Sequence, residues 1–420
     1  MILKDVNVEK REVKIGSIIF DEEIYARMEP DQSLISRYEE NADQILDSNS
    51  RIQVSKDLKL IDGYHRLKAF QRVYGKDKKI NVDFHDTDNR DYIELKSYAA
   101  NTTHGQTNTA KENKRNISRL YARGFELDRI QDELGLSKSI IYAATKDRRA
   151  EEKQQLKKDI FEMYLQGWNT QQDVADEYDV VVQTVSNIIE SSKNSIRGEF
   201  GKDFKPLLYN IWNLKSQDNE RKHFGAFPEV FMQNLLHYHT EPMDLIYDPF
   251  AGGGTTADVC KEMARRYYCS DRRVVPGREK DIREHDIAAG LPDDLQKPDM
   301  VFLDPPYWLQ AENQYSEDEA DLGNMSLEDF NKSMERLFNS ITKRGVDKIA
   351  LVIQPTQYKN DFNWTDHIFD FDKMLPKYDV EMRYILPYSS QQYQPQNVIK
   401  AKKENKALCL NRDLIIWSKS

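Results

Sequence analysis

The sequence predicts a multidomain chain: a small α+β domain, then an all-α region, then an α/β domain with a mostly parallel sheet. Three patterns predict these parts. Over residues 1–105, short apolar runs alternate with charged helical stretches. Residues 106–195 are almost free of proline and keep helical periodicity throughout. Over residues 205–420, apolar strand candidates alternate with helices, which is typical of an open sheet covered by helices on both faces.

Polar stretches separate or interrupt these parts. The run ESSKNSIRGEFGKD (190–203) breaks the helical pattern, so we expect a linker there. Segments 309–325 and 387–406 are long, polar and without periodicity. Loops of this length in a compact domain are often functional.

Composition limits the class of protein. The formal charge of −10 at pH 7 excludes a uniformly basic coat for nucleic acid, although it allows a local basic face. The three cysteines, Cys260, Cys269 and Cys409, form no CxxC pair, which favours a reducing compartment without disulfides or a zinc site. No apolar run reaches the roughly 18 residues that a membrane span needs. We therefore expect a soluble cytoplasmic protein with no bound metal and no membrane partner.

A glycine-rich turn opens the third part. In DLIYDPFAGGGTTADVC, a strand ends at Asp248-Pro249-Phe250, three glycines follow, and a helix begins at Thr255. Glycines such as Gly252 and Gly254 let the backbone approach a ligand closely, and the helix start offers free N–H groups. The next strand, RYYCSD, ends at Asp271, an acid well placed for ribose hydroxyls. Asp286 follows a third short segment, where it could accept from an adenine amine.

A second unusual turn follows the strand MVFL. It reads Asp304-Pro305-Pro306-Tyr307, and two consecutive prolines cannot donate hydrogen bonds to a sheet, so the strand must end there. The acid and the proline carbonyls are thereby held stiffly at the strand tip. If Asp304 and the Pro305 carbonyl accept the two N–H bonds of an exocyclic amine, its nitrogen gains tetrahedral character and its lone pair becomes available. Tyr307 could stack on the base, with Trp308 supporting it.

These two turns resemble the S-adenosylmethionine-dependent amino-methyltransferases of DNA. DPFAGGGTT is similar to the family's cofactor motif and DPPYW to its catalytic motif, and AFPEVFMQNLL, with Phe227 and Pro228, is similar to a further cofactor segment. The resemblance implies a Rossmann-like class I methyltransferase fold over 205–420 and S-adenosylmethionine as cofactor. The glycine loop precedes DPPY here, unlike the family's commonest order. Within that family an acid before the two prolines is typical of enzymes acting on adenine N6, so the resemblance implies adenine N6 over cytosine N4.

The first part carries a second resemblance. In LKLIDGYHRLKAF (58–70) a strand and an Asp62-Gly63 turn precede a helix with His65 and Arg66 in its first turn, a suitable phosphate cradle. This run resembles the ParB/sulfiredoxin-like fold, which implies further contacts from Arg27 and from a polar box at 101–115. The candidates in that box are Asn101, His104, Gly105 and Thr109. Because GYHR replaces two adjacent arginines, three interpretations stay open: a CTP-like nucleotide switch, a clamp on the DNA backbone, and a degenerate scaffold.

Two helix-turn-helix candidates lie in the middle part, at 127–147 and 169–190, and such pairs place their second helix in a DNA major groove. Residues 111–158 hold 13 Lys/Arg against 8 Asp/Glu, a local basic excess in an acidic chain. The candidate base readers are Lys138, Ser139, Tyr142, Gln183, Thr184 and Asn187. The candidate phosphate contacts are Lys146, Arg148 and Arg149. At the mouth of the pocket we expect Gln391, Gln392 and Tyr393.

The sequence thus predicts a site-specific DNA methyltransferase that acts on adenine N6 after base flipping, with double-stranded DNA as partner. A homodimer stays open. One alternative is methylation of cytosine N4, and another is a ParB-like DNA-binding regulator whose methyltransferase domain is degenerate.

Overall fold

The computed structural model describes residues 6–27, 29–48, 51–103, 108–214, 227–309, 321–357, 363–388, 393 and 395–420. The chain divides into two compact units, Met1–Gln154 and Gln155–Ser420. In the described part, no helix is both long enough and apolar enough to cross a membrane.

The first unit begins with a four-stranded mixed sheet and the helices that pack on it. Its strands are β1 (Val8–Lys14), β2 (Ile52–Val54), β3 (Leu60–Asp62) and β4 (Lys79–His85), in the order β1-β4-β2-β3. Its helices are α1 (Gln32–Glu40), α2 (Ala42–Asp47), α3 (Tyr64–Tyr74) and α4 (Arg90–Thr103). The short strand β3 ends at Asp62, and Gly63, with φ of +97°, turns the chain directly into α3. This confirms the predicted α+β character of the first part.

Three further helices follow: α5 (Ala110–Ala122), α6 (Leu127–Leu134) and α7 (Lys138–Leu165). Gly135, with φ of +63°, ends α6, so α6 and the start of α7 form the first predicted helix-turn-helix pair. Ile117, Ile130 and Ile141 join one apolar core with residues of α4. At 28 residues, α7 is much longer than the predicted recognition helix and runs past the boundary of the first unit.

The second unit begins with the rest of α7, then α8 (Gln171–Glu177) and α9 (Val182–Asp203), the second predicted pair. Thr170 and Asp173 cap α8 reciprocally. The predicted all-α region 106–195 is therefore distributed over both units. The linker prediction for 190–203 was wrong, because α9 continues to Asp203. Its apolar stripe persists at helical spacing, with Ile196 and Phe200 packed against the same core as Val185.

A seven-stranded sheet forms the centre of this unit, in the order β10-β11-β9-β8-β5-β6-β7. The strands are β5 (Leu245–Asp248), β6 (Arg266–Asp271), β7 (Ile282–Glu284), β8 (Met300–Leu303), β9 (Lys348–Ile353), β10 (Tyr378–Pro387) and β11 (Asn411–Lys419). The helices are α10 (Glu229–His239), α11 (Thr255–Glu262), α12 (Leu327–Arg344), α13 (His367–Met374) and α14 (Pro395–Lys403). Residues of α10 and α11 join one apolar core and residues of α12 and α13 another.

The pairing of the strands decides which residues meet at the sheet edge. β5 pairs in parallel with β6 and β8, and β8 with β9, so the carboxyl ends of β5, β6 and β8 lie side by side. β11 runs antiparallel to β9, with Asp413 opposite Ile353, which brings the first residues of β11 to the same edge. The mostly parallel α/β sheet is confirmed.

Candidate active site

The glycine-rich turn between β5 and α11 is tight, and hydrogen bonds fix it on both sides. Gly252 and Gly254 have φ of +47° and +85°, a region that glycine adopts readily. The Gly252 N–H donates to Asp271 Oδ2 at 2.9 Å. On the other side, Arg278 Nη2 donates to the Gly254 carbonyl at 2.8 Å and to Asp258 Oδ1 at 3.0 Å. A Cβ at position 254 would meet the Arg278 guanidinium, so any other residue there would have to displace that side chain as well as adopt a positive φ.

Asp248, the last residue of β5, uses both carboxylate oxygens for hydrogen bonds within the turn. Its Oδ1 accepts from the Phe250 N–H at 2.9 Å and its Oδ2 from Thr256 Oγ1 at 2.6 Å. The side chain is only 2% exposed, and burial raises the pKa of Asp248 to about 7. Asp248 therefore holds the shape of the turn. Pro249 is buried beside it, and Thr255 begins α11.

The two other predicted acids lie at neighbouring strand ends. Asp271 ends β6, is half-buried, and accepts from the Gly252 and Arg273 N–H groups. Asp286 lies two residues beyond β7, is exposed, and caps a short 3₁₀ turn by accepting from the Ala288 N–H at 2.9 Å. Together with the two positive-φ glycines, these carboxylates fit a cofactor that carries hydroxyl groups and an amine.

The second turn follows β8 directly. Asp304 is half-buried, and the Tyr307 hydroxyl donates to Asp304 Oδ1 at 2.9 Å. Burial raises the pKa of Asp304 to about 6, against the positive charge of Arg412 and the hydrogen bond from Tyr307. Pro305 is buried and Pro306 half-buried. Burial also raises the pKa of Tyr307, which keeps this phenol protonated as the donor.

Trp308 anchors this turn to the core. It is 6% exposed, its Nε1 donates to the Met325 carbonyl at 2.9 Å, and its own carbonyl accepts from Thr356 Oγ1 at 3.2 Å. These two hydrogen bonds and the burial of the indole fix the position of Trp308 within the turn.

Three residues that the sequence patterns did not indicate, Gln354, Tyr388 and Arg412, complete the edge. Arg412, on β11, places its guanidinium carbon 4.0 Å from the ring centroid of Phe227 and 5.0 Å from that of Tyr388. The Tyr388 hydroxyl donates to Gln354 Oε1 at 2.6 Å. Their positions in the chain could have indicated them: Gln354 follows β9, Tyr388 follows β10 and Arg412 is the second residue of β11, so all three lie at strand ends.

From the predicted cofactor segment before α10, Phe227 is the residue that contacts Arg412 at this sheet edge. This side chain is 7% exposed and stacks on Phe231 at 4.3 Å, so its other face is the one that Arg412 covers. Pro228 precedes the first residue of α10.

In the first unit, most of the predicted phosphate-site residues meet. A cavity of about 200 Å³ is lined by Arg27, Gly63, His65, Arg66 and Asn101, among others. Arg27 Nε donates to Asn101 Oδ1 at 3.4 Å, and Arg66 Nη2 to Asp62 Oδ2 at 2.8 Å.

The other predicted residues of the polar box are not among the described residues that line this cavity. Thr109 does not line the cavity: it caps α5 by accepting from the Glu112 N–H. His104 and Gly105 lie outside the described residues.

The predicted DNA-contacting side chains are mostly exposed on their helices. On α7 these are Lys138, Ser139, Tyr142, Lys146 and Arg148. On α9, Gln183 and Asn187 are exposed and hydrogen-bond each other at 3.1 Å, with Thr184 half-buried between them. Tyr393 donates to the Cys409 carbonyl at 2.7 Å, whereas Gln391 and Gln392 lie outside the described residues.

Curated relatives are similar to parts of this chain. Type II methyltransferase M.XycI of Xanthomonas campestris pv. cyanopsidis is 36% identical over 58 residues, 14% of this chain and 19% of that protein. Type II methyltransferase M.BglII of Bacillus subtilis is 30% identical over 109 residues, 24% of this chain and 29% of that protein. The chain therefore spans less than a third of the length of either relative.

Among solved structures, the pNOB8-like ParB N-domain is similar with a TM-score of 0.26 and 16% identity, over 49% of this chain and 83% of that one. The family model for DNA methylases of the N6/N4 methyltransferase type matches residues 62–274, just over half of the chain. That match contains the glycine-rich turn and ends before Asp304. The chain belongs to the N6/N4 methyltransferase family of DNA methylases.

Proposed function

We propose that the chain is a site-specific DNA methyltransferase that methylates the exocyclic N6 of adenine after the base has flipped out of the duplex. The observation that carries this proposal is the placement of Asp304-Pro305 beside the glycine-rich turn, at the ends of the adjacent parallel strands β8 and β5. Methylation of an amine requires two hydrogen-bond acceptors that hold its N–H groups close to the bound methyl donor. Asp304 and the Pro305 carbonyl are such acceptors, and the glycine-rich turn is the proposed site of the donor. Flipping costs a few kcal/mol, which contacts to the extruded base must offset.

Asp304 and Pro305 are the groups that hold the amine. Because Tyr307 donates to Oδ1 of Asp304, Oδ2 remains available to accept one N–H, and the Pro305 carbonyl is suited to accept the other. This fixes the direction of the nitrogen lone pair, so positioning and electrostatics supply the rate enhancement. Once the nitrogen has accepted the methyl group it carries a positive charge, and Asp304 is placed to take up the proton that it loses.

The turn after β5 is the proposed cofactor site. S-adenosylmethionine, when bound, supplies the activated methyl group. Asp271 is placed to accept from ribose hydroxyls and Asp286 from the adenine amine of the cofactor. Phe227, Pro228 and Phe250 provide apolar surface around them, and Asp248 keeps the backbone of Gly252 and Gly254 in shape.

The identity of the base is tested by expressing the protein in a host without DNA methylation. Host DNA is digested to nucleosides and analysed by mass spectrometry, with an Asp304→Ala strain as control. We expect N6-methyladenine in the wild-type sample alone. N4-methylcytosine would overturn the adenine assignment, and unmodified DNA would favour the regulator alternative.

Recognition of the DNA sequence is assigned to the exposed first turns of α7 and α9. The i,i+4 pair Gln183 and Asn187 presents two amides, the groups that read adenine in the major groove. On α7, the exposed Tyr142 ring has Lys138 Nζ at 5.4 Å and the Arg149 guanidinium at 4.4 Å from its centroid. This basic surface suits phosphate contacts.

The cavity of the first unit supports a second function, the binding of a nucleotide or another phosphate ligand. His65 Nε2 accepts from the Asp31 N–H at 3.0 Å, and burial, aided by the nearby Arg27, lowers the pKa of His65 to about 4. His65 is therefore neutral at pH 7. The negative charge of a phosphate would have to be met by Arg27 and Arg66.

We expect Arg66→Ala to weaken binding of CTP by the full chain at least about tenfold, since a charge-assisted bond to phosphate is lost. Isothermal titration measures this affinity. Arg51→Ala is the matched control, because Arg51 pairs with Asp83 in the same unit and does not line the cavity. Equal affinities in the two variants would argue against a phosphate site, and an absence of binding by the wild type would favour the degenerate scaffold.

A further inference from the structure

His367, the first residue of α13, is a buried histidine with an incomplete set of hydrogen bonds. It is 1% exposed and lies among the rings of Trp308, Phe330 and Phe371, whose centroids are 5.9, 5.4 and 6.0 Å away. Its Nε2 lies 3.0 Å from Oγ1 of Thr356, whereas its buried Nδ1 has no hydrogen-bond partner among the described residues. An apolar side chain could fill this space without leaving a polar atom unpaired, so the imidazole calls for an explanation beyond packing.

Thr356 connects this histidine to the proline turn (304–308). It lies three residues beyond the end of β9 and is fully buried, and its Oγ1 also donates to the Trp308 carbonyl at 3.2 Å. Trp308 follows directly on Tyr307, whose hydroxyl donates to Asp304 Oδ1. An unbroken set of contacts therefore runs from the imidazole to the residue that is proposed to accept the amine.

The positions of the protons follow from what each group can donate. The Trp308 carbonyl can only accept, so the Thr356 hydroxyl spends its single proton on that bond. His367 Nε2 must therefore carry a proton and donate it to Thr356 Oγ1, which leaves Nδ1 unprotonated. In the other tautomer, a buried N–H would be unpaired and the Trp308 carbonyl would lose the hydroxyl. Burial lowers the pKa of His367 to about 4, so the ring is neutral at pH 7.

Resting on the proposed function, we propose that His367 is a positioning residue whose Nε2–H directs the Thr356 hydroxyl onto the Trp308 carbonyl. This relay of two hydrogen bonds holds the proline turn where Asp304 and Pro305 can accept the amine. Because its two prolines have no N–H, the turn has few donors of its own, and donors from other segments must fix its carbonyls. The relay supplies one from the end of β9, supported by α13, and touches neither the base nor the cofactor.

Single-turnover methyl transfer to duplex DNA tests the relay, together with the affinity for S-adenosylmethionine. Thr356→Val keeps the shape of the side chain but removes the hydroxyl, and His367→Leu removes the donor to it. We expect each variant to transfer the methyl group about three- to tenfold more slowly, the effect of losing one neutral hydrogen bond. Cofactor affinity should stay at the wild-type value, because the glycine-rich turn is fixed by other groups.

Conservative variants distinguish the relay from ordinary packing. Thr356→Ser keeps a hydroxyl and should recover most of the rate that Thr356→Val loses. His367→Gln presents an amide N–H in place of Nε2–H and should be faster than His367→Leu. The double variant His367→Leu/Thr356→Val should be no slower than the slower single variant, because both side chains act on the same carbonyl. Losses that multiply in the double variant would overturn the proposal.

Tyr384→Phe is the matched control for Thr356→Val. The Tyr384 hydroxyl also lies next to a buried histidine, 2.9 Å from Nε2 of His239, but this pair joins β10 to the end of α10. Each variant removes one hydroxyl from a buried histidine, so we expect both to lower the thermal unfolding temperature. Only Thr356→Val should slow transfer. Equal losses of rate in the two variants would contradict a specific role for the relay.

Hydrogen exchange at the turn separates this proposal from the proposed function. Mass spectrometry of the peptide that spans residues 300–309 measures the opening of this segment without any methyl transfer. We expect faster exchange in Thr356→Val and His367→Leu than in the wild type and Tyr384→Phe. If the wild type transfers no methyl group, the proposed function fails, yet faster exchange in the two relay variants still supports the relay. Equal exchange in all four proteins refutes it.

Discussion

Asp304→Ala is expected to reduce single-turnover methyl transfer roughly 100- to 1,000-fold, the usual cost of removing one preorganised electrostatic contact to a reacting group. The substitution removes the acceptor of one amine N–H and also the partner of the Tyr307 hydroxyl. The remaining Pro305 carbonyl cannot orient the nitrogen alone. The measurement is transfer of tritiated methyl from S-adenosylmethionine to duplex DNA.

Cofactor binding separates this effect from general damage. Asp304→Ala should bind S-adenosylmethionine within a few-fold of wild type, because the glycine-rich turn is held by Asp248 and Arg278. The control is Asp293→Ala, an exposed aspartate in a turn of the same unit. Retention of more than about a tenth of the wild-type rate by Asp304→Ala is incompatible with the proposed role.

Gly254→Ala is expected to weaken S-adenosylmethionine binding by at least about tenfold, equivalent to about 1.4 kcal/mol. A non-glycine residue at φ of +85° is strained by about 1–2 kcal/mol. In addition, the new Cβ would lie 2.6 Å from Nε and 2.7 Å from Cζ of Arg278. Arg278 would have to leave its contacts with the Gly254 carbonyl and Asp258, which loosens the whole turn.

Gly277→Ala is the matched control for this prediction. Gly277 has φ of +88°, and nothing lies within 4 Å of a Cβ built there, so the variant carries the strain without the collision. Cofactor affinity by isothermal titration and thermal unfolding are measured for both variants. If the two lose the same affinity, close packing against Arg278 is not what requires glycine at position 254.

The two turns of the site were predictable because their chemistry is local. Consecutive prolines must end a strand and consecutive glycines permit a tight entry into a helix, so the Asp304 and Gly252 turns could be placed from short runs of sequence. The buried strands before them are continuous apolar runs, as expected in a parallel sheet.

Contacts between distant segments were not predictable in this way. Arg412 lies more than 180 residues after Phe227, and its guanidinium reaches that ring because β11 inserts antiparallel between β9 and β10. The apolar run of β11 predicts a strand but not its neighbours. The length of α9 was missed for a related reason, since widely spaced Ile196 and Phe200 reveal their stripe only when the helix is continued through polar residues.

The parallel pairing of β5 with β8, Ile246 opposite Met300, has a consequence for how such proteins are found. Adjacency in the sheet brings the glycine turn and the proline turn together whichever of them is translated first. Rearranging the gene so that one motif moves ahead of the other can leave the chemistry intact. Genome searches for such enzymes should therefore score the two motifs independently and ignore their order.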